Sequence, residues 1–286
     1  MSSPSVAVLE QVTCVAVLGI RFWDVAAFRA VGAGLTVEAY PVGVPELRTT
    51  AVVGRGGIYS FHGLPGMRRD EIGLGDDAFW QSNPPQAPFT VEVADAGGQY
   101  LPFRLSVLLP VRGVFGLFES PFSTGLTPDA TWIPVFSTPA RPVPGAMAVA
   151  RAQLLDTLAG TPAAWAFVTV RTAGQPPAVG VADQRGIVAV QFAYPEPRNF
   201  ALGSPLRTGG VKWVDQSWPV AVNVLYAPGR INDARPELSQ TLGQPAAAVN
   251  PAAFTLLAGQ ELSMKSVGPD GREISDLLLT PAGSPL

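Results

Sequence analysis

The chain has 286 residues, of which 47% are hydrophobic and only 14% charged, with a formal net charge of -3. That length holds two domains of ordinary size, each able to bury a core without disulfides. The weak acidity and the lack of a basic cluster exclude a phosphate backbone, so no nucleic acid is expected as a partner.

So little charge has two readings: surface covered by another protein, or the ordinary composition of a β-protein rich in loops. The 30 glycines and 29 prolines fall between alternating apolar runs, which is the punctuation of an all-β chain and not of disorder. The single cysteine, Cys14, lies within Val12–Leu18 and reads as a small strand residue, since one thiol cannot close an intramolecular disulfide. Glu10 and Gln11 precede that stretch and no basic region does. Synthesis in the cytoplasm without a signal peptide is therefore expected, and no run is long enough for a direct membrane span.

In chain order, a first strand is expected over Val12–Ile20, with Arg21-Phe-Trp-Asp24 following as the run ends and continuation as far as the turn at Gly32-Ala-Gly34 left open. Leu35 to Tyr40 alternates, placing Leu35, Val37 and Ala39 on one face and Thr36, Glu38 and Tyr40 on the other. Gly54-Arg-Gly-Gly57 is a turn. After it Tyr59 and Phe61 share one face and Ile58, Ser60 and His62 the other. Residues 68–88 form a long acidic loop ending in Phe79-Trp80, of the kind that makes contacts. Phe89–Asp95 and Tyr100–Leu109 then read as a hairpin about Ala96-Gly-Gly98.

Residues 113–145 carry many prolines and aromatics and too little Ser and charge for a flexible linker; an ordered linker is expected. Further strands follow over Met147–Leu155, Trp165–Arg171, Gly186–Phe192 and Trp218–Tyr226, then a closing hairpin about Gly268-Pro-Asp-Gly271. Ala234–Ala253 is the one stretch with helical character, cut to a turn or two by Pro236, Pro245 and Pro251.

The order of strand, glycine turn, strand, proline stop and strand occurs twice. It runs through Leu35–Pro41, Gly54–Pro65 and Phe89–Asp95, and again through Trp165–Arg171, Asp183–Phe192 and Trp218–Pro228. A period of that length means a duplicated domain. The expected fold is all-β, with a first sandwich over residues 1–112, a linker over 113–145 and a second sandwich over 146–286.

Little in the chain carries chemistry. His62 is the lone histidine, so any catalytic triad would need it as base, yet it ends an alternating strand beside a turn, where a structural role is expected. No Gly-x-Ser-x-Gly elbow occurs and no Cys or His cluster has metal spacing. Asp70, Glu71, Asp76 and Asp77, or Asp183 with Asp215, could offer oxygens to a hard cation, but adjacent pairs are not the alternate spacing that calcium loops use. No cofactor, metal site or catalytic residue is expected, and the chain is read as a non-enzyme. Trp165 and Trp218 start alternating strands and read as core. The interface candidates are Trp80, Phe115, Phe118, Phe122, Trp132 and Phe136.

Thr50-Ala-Val-Val-Gly-Arg-Gly-Gly-Ile-Tyr-Ser-Phe-His-Gly-Leu-Pro-Gly66 resembles the core segment of carboxypeptidase-regulatory-like domains, a transthyretin-like β-sandwich family. Asp183-Gln-Arg-Gly-Ile-Val-Ala-Val-Gln-Phe192 is a divergent version, with Tyr194-Pro-Glu-Pro197 in place of Leu-Pro-Gly. The resemblance implies seven or eight strands per sandwich and an accessory role. Arg21-Phe-Trp-Asp24, Gly63-Leu-Pro-Gly66, Tyr100-Leu-Pro-Phe103 with Leu109-Pro-Val-Arg-Gly113, and Gln216-Ser-Trp218 together resemble proteins encoded with phage-tail-like contractile injection particles. That implies a structural or accessory subunit incorporated into such a particle, with its other subunits as partners. The alternative is a pair of carbohydrate- or surface-binding modules using Trp80, Trp132 or Trp213 as stacking platforms.

Overall fold

The computed structural model describes residues 16–67, 80–81, 84–117, 126–197, 212–229, 231, 233–249, 254–268 and 270–282. Over these the chain is mostly β, in antiparallel and mixed sheets, with one short α-helix.

The N-terminal half opens with β1 (Leu18–Asp24), β2 (Arg29–Val31), β3 (Leu35–Pro41), β4 (Thr49–Thr50), β5 (Val52–Val53) and β6 (Tyr59–Phe61). It continues with β7 (Ala87–Asp95), β8 (Phe103–Leu109), β9 (Val114–Phe115) and β10 (Trp132–Val135). One sheet has the order β10-β1-β6-β5, with β2 and β9 also on β1, and the other β4-β3-β7-β8. The alternation read from the sequence decides which side chains meet between them. Leu35, Val37 and Ala39 from one sheet and Tyr59 and Phe61 from the other are buried in a single cluster, and Phe22 packs edge-on against both Tyr59 and Phe103. Each large apolar side chain buried there contributes roughly 1.5–3 kcal/mol. Thr49–Thr50 pairs with β3 and Val52–Val53 with β6, so five residues cross from one sheet to the other and close that side.

Two readings from the sequence change. The first strand runs through Arg21-Phe-Trp to Asp24 and stops there, short of the turn at Gly32, because Phe22 and Asp24 continue its inward face. The segment 113–145 is more than a linker, since β9 and β10 both lie parallel to β1. Pro134 lies in β10, the end strand of its sheet, and that edge tolerates the missing N–H. Cys14 and the acidic loop from Asp70 to Asp77 lie outside the described residues.

The C-terminal half holds β11 (Met147–Asp156), β12 (Phe167–Thr172), β13 (Ala178–Val181), β14 (Ile187–Ala193), β15 (Ser217–Leu225), α1 (Leu238–Leu242) and β16 (Ala246–Val249). After them come β17 (Phe254–Leu257), β18 (Leu262–Ser263), β19 (Ser266–Val267), β20 (Glu273–Ile274) and β21 (Asp276–Thr280). The path β13-β12-β15-β16-β21-β11-β14 runs through one sheet. The expected hairpin about Gly268–Gly271 is present as β19–β20, but the chain does not end on it. β21 leaves it to lie parallel to β11, since Leu277 and Leu279 are fully buried there.

The repeated sequence pattern has a counterpart in strand pairing. β1 pairs antiparallel with β6 and parallel with β10; β11 pairs antiparallel with β14 and parallel with β21. β3 pairs with β7 as β12 pairs with β15. Even the turn recurs: the Gly54 amide bonds to Ile58 O and the Gly57 amide to Gly54 O, while Asp183 bonds to Ile187 O and Gly186 to Asp183 O.

The two halves share packing. Trp165, Phe167, Val181, Leu238 and Leu242 belong to the same buried cluster as the N-terminal sheets, with Phe136 edge-on to Phe167 at 5.9 Å. The segment before α1 lies along β8: the Arg104 amide donates to Pro236 O at 2.9 Å and the Ser106 amide to Glu237 Oε1 at 3.0 Å. Arg104 pairs with Asp233 at 2.6 Å. An edge strand that would otherwise be open is covered by the other half of the same chain.

Gly186 tests the shared turn. It holds φ 74°, and a Cβ there would lie 2.6 Å from Leu154 O. Gly186→Ala is expected to destabilise by about 2–4 kcal/mol, read as a lower urea midpoint at unchanged slope.

Candidate interaction site

The sequence-derived candidates have separate fates. Phe136 is 3% exposed and Phe115, on β9, is half-buried against the N-terminal core. Phe136 is core, placed by β10 to join the halves, and does not face a partner. Phe118 and Phe122 lie outside the described residues, and Trp80 is half-buried next to residues that also lie outside. Trp132 sits on β10 with the Arg21 guanidinium 4.4 Å from its ring and Trp23 edge-on at 5.5 Å. Trp165 and Trp218 are buried, as expected, although Trp165 lies in the turn before β12 at φ 61° and not in the strand. Asp183 is occupied locally, accepting from the Arg185 and Ile187 amides and the Arg185 guanidinium. Among the described residues no three His, Cys, Asp or Glu side chains gather as a metal site, and no helix is long and apolar enough to cross a membrane.

What the sequence reading missed is a buried ionic network at the end of β1. Asp24 is fully buried. Its Oδ1 accepts the Ala26 and Ala27 amides, both at 3.0 Å, which folds the chain tightly back into β2. Its Oδ2 accepts the Tyr100 hydroxyl at 2.8 Å and the Arg141 guanidinium at 2.6 Å. Arg141 also bonds Ser137 Oγ, while its carbonyl accepts from the Gln191 side chain on β14. Burial opposes ionisation of Asp24, but hydrogen bonds from Arg141, the Ala27 amide and Tyr100 outweigh it and hold the carboxyl below its usual range. Burial and the adjoining carboxylate push the Tyr100 hydroxyl up to about 12.

The turn so braced presents Phe28, 54% exposed and held at φ 51°. Beside it lies a cleft of about 270 Å³ lined by Arg29 to Gly34, Asp95, Gln99 and Tyr100. Asp95 is spent on its own turn, accepting from the Gly97, Gln99 and Tyr100 amides.

The equivalent turn in the C-terminal half is Asp156 to Gly160. Asp156 is also fully buried and its Oδ1 accepts the Leu158 and Ala159 amides. Tyr226 lies beside it, its hydroxyl pushed up to about 12 by burial and that carboxylate, yet Asp156 Oδ2 accepts no bond of normal geometry. Elsewhere in this half Tyr194, Trp213 and Trp218 pack as a trio with centroids 5.3–6.0 Å apart. A cleft of about 230 Å³ beside Trp218 is lined by Gln175 and Glu196.

No protein-family model and no curated protein sequence matches the chain. Among solved structures, the C-terminal fragment of the pilus adhesin SpaC from Lactobacillus rhamnosus GG is similar at 9% identity in two crystal structures. The iodide-soaked one has a TM-score of 0.23 over 94% of this chain and 100% of that one, and the other 0.19 over 94% and 99%. A likeness at that level carries no argument about fold or function.

Arg141→Met is expected to destabilise by about 3–5 kcal/mol, because it leaves the Asp24 charge buried without its counter-ion. The folded Asp24 pKa lies below the unfolded value, so its stabilisation is complete above about pH 4 and is lost as pH falls through the folded pKa. Urea midpoints against pH are expected to fall on the acid side more steeply in the wild type than in Asp24→Asn.

Proposed function

We propose that this chain is a non-enzymatic structural or accessory subunit that works through protein–protein contacts, built as a tandem pair of transthyretin-like sandwiches. The observation that carries this reading is the welding of the halves. A common buried cluster runs between them, and residues 233–237 of one half complete the β8 edge of the other. Such a joint gives a body that holds surfaces at fixed spacing, which is what a subunit of a larger assembly needs and a flexible pair of binding modules does not.

Phe28, Val52, Leu108, Leu158 and Val214 are large apolar side chains at least half exposed, a supply of contact surface for neighbours. Incorporation into a phage-tail-like particle is the proposal that the motif resemblance adds.

A carbohydrate-binding role would use Trp132 or Trp213, whose rings are half-buried and so still partly reach solvent, whereas Trp218 beside the neighbouring cleft is buried.

In sedimented lysate of the native host, mass spectrometry is expected to find the chain with megadalton particles that contain tube and sheath proteins. A protein that stays in the supernatant and binds a soluble glycan would replace the structural reading with the second one.

A further inference from the structure

Trp132 differs from Trp23, Trp165, Trp213 and Trp218. Those four belong to the two buried clusters or pack against them, and Trp132 does neither. Its ring is held all the same. β1 buries Phe22 and Asp24, so Arg21 and Trp23 stand on the outer face of the sheet, and Trp132 shares that face because it pairs with Arg21. The Arg21 guanidinium lies 4.4 Å from the indole centroid and Trp23 meets the ring edge-on at 5.5 Å. An indole fixed in this way loses little freedom when a ligand settles on it. Core packing does not account for so large a side chain at this position.

Polar groups lie beside the ring. The Asp129 side chain is 55% exposed, and its Oδ1 accepts the Thr131 hydroxyl and amide. Those bonds hold the carboxyl below its usual range, so it is an acceptor at neutral pH. Arg21 donates to Thr131 Oγ1 and comes within 3.9 Å of Asp129. The two charges cancel, which leaves an acceptor and a donor next to an aromatic ring without a net charge. Trp23 is flanked on the same face by Pro134 and Ala30, which have no long side chain to lie over the rings.

We propose that Trp132, with Asp129 and Arg21 beside it, is the seat of a neutral pyranose ring of a glycan. A pyranose has an apolar C–H face, which packs on the indole. Its rim of hydroxyls both donates and accepts, and so meets the Asp129 carboxylate and the Arg21 guanidinium. This deepens the carbohydrate reading and rests on it. Trp213 is the competing platform, but its ring is tied into the trio with Tyr194 and Trp218 and packs on the second cluster.

The test uses the full chain, titrated with maltohexaose, cellohexaose and chitohexaose and followed by tryptophan fluorescence and calorimetry. Saturable binding of at least one hexasaccharide is expected, weakened about tenfold or more by Trp132→Ala and by Asp129→Ala and unchanged by Trp213→Ala. Trp132→Ala is also expected to unfold at the wild-type urea midpoint, since its ring packs on neither cluster. A lower midpoint would make Trp132 a packing residue and overturn the proposal. Binding that survives Trp132→Ala but is lost in Trp213→Ala overturns this site and leaves the carbohydrate reading standing on the other ring. No binding of any of the three removes both the site and that reading. A Trp132→Ala protein that binds sugar as the wild type does but no longer sediments with particles makes this face a protein contact and overturns the proposal.

Discussion

The carboxylate of Asp24 is the point on which the N-terminal half is organised. It joins the end of β1, the chain entering β8 and the stretch after β10, which are far apart in sequence, and it does so with no exposure to solvent. Removing both charges from water costs several kcal/mol, and their attraction repays it only because the geometry is close and every oxygen is used. An exposed pair such as Arg272–Asp270 is worth at most about 1 kcal/mol by comparison. What the buried pair supplies is position. It fixes the turn after β1, seats residues 136–141 against the second half, and through the Arg141 carbonyl touches β14.

The C-terminal half keeps the turn and drops the arginine. Asp156 retains its two amide bonds and a neighbouring tyrosine, so the local backbone is folded the same way. Nothing from the described chain takes the place of Arg141 at Oδ2. The difference follows from what each copy has to join. Arg141 lies on the path from one half into the other, so its anchor also sets the joint; β21 has no such path to brace among the described residues. Asp156 is thus a turn-former alone, while Asp24 is both a turn-former and a tether.

Much of the fold was legible because burial in a strand has period two. The inward sets Leu35, Val37, Ala39 and Tyr59, Phe61 are those the alternation gave, and the glycine turns at 54–57 and 183–186 are visible as local chemistry. Long-range pairing was not legible. Asp24 and Arg141 are 117 positions apart, and nothing local marks a charged residue at a strand end as buried. Parallel partners such as β10 and β21 leave no hairpin signal, so one was read as linker and the other as part of a terminal hairpin. Phe136 is a related case. Trp132, at the start of β10, is half-buried beside Trp23 and Arg21, while Phe136, just past the end of that strand, is core between the halves, a distinction set by tertiary placement and not by composition.

Edge management explains where contact surface is left over. A sheet end exposes unpaired amides and carbonyls, and this chain deals with three of the N-terminal ends differently. β8 is covered by residues 233–237. β4 and β5 are one short crossing strand, too brief to recruit another chain. β10 carries Pro134, which lacks a donor. With backbone pairing suppressed at all three, recognition on this half falls to side chains held on rigid turns. The turn with the strongest brace, the one tied down by Asp24, Tyr100 and Arg141, is also the one that presents an exposed phenylalanine.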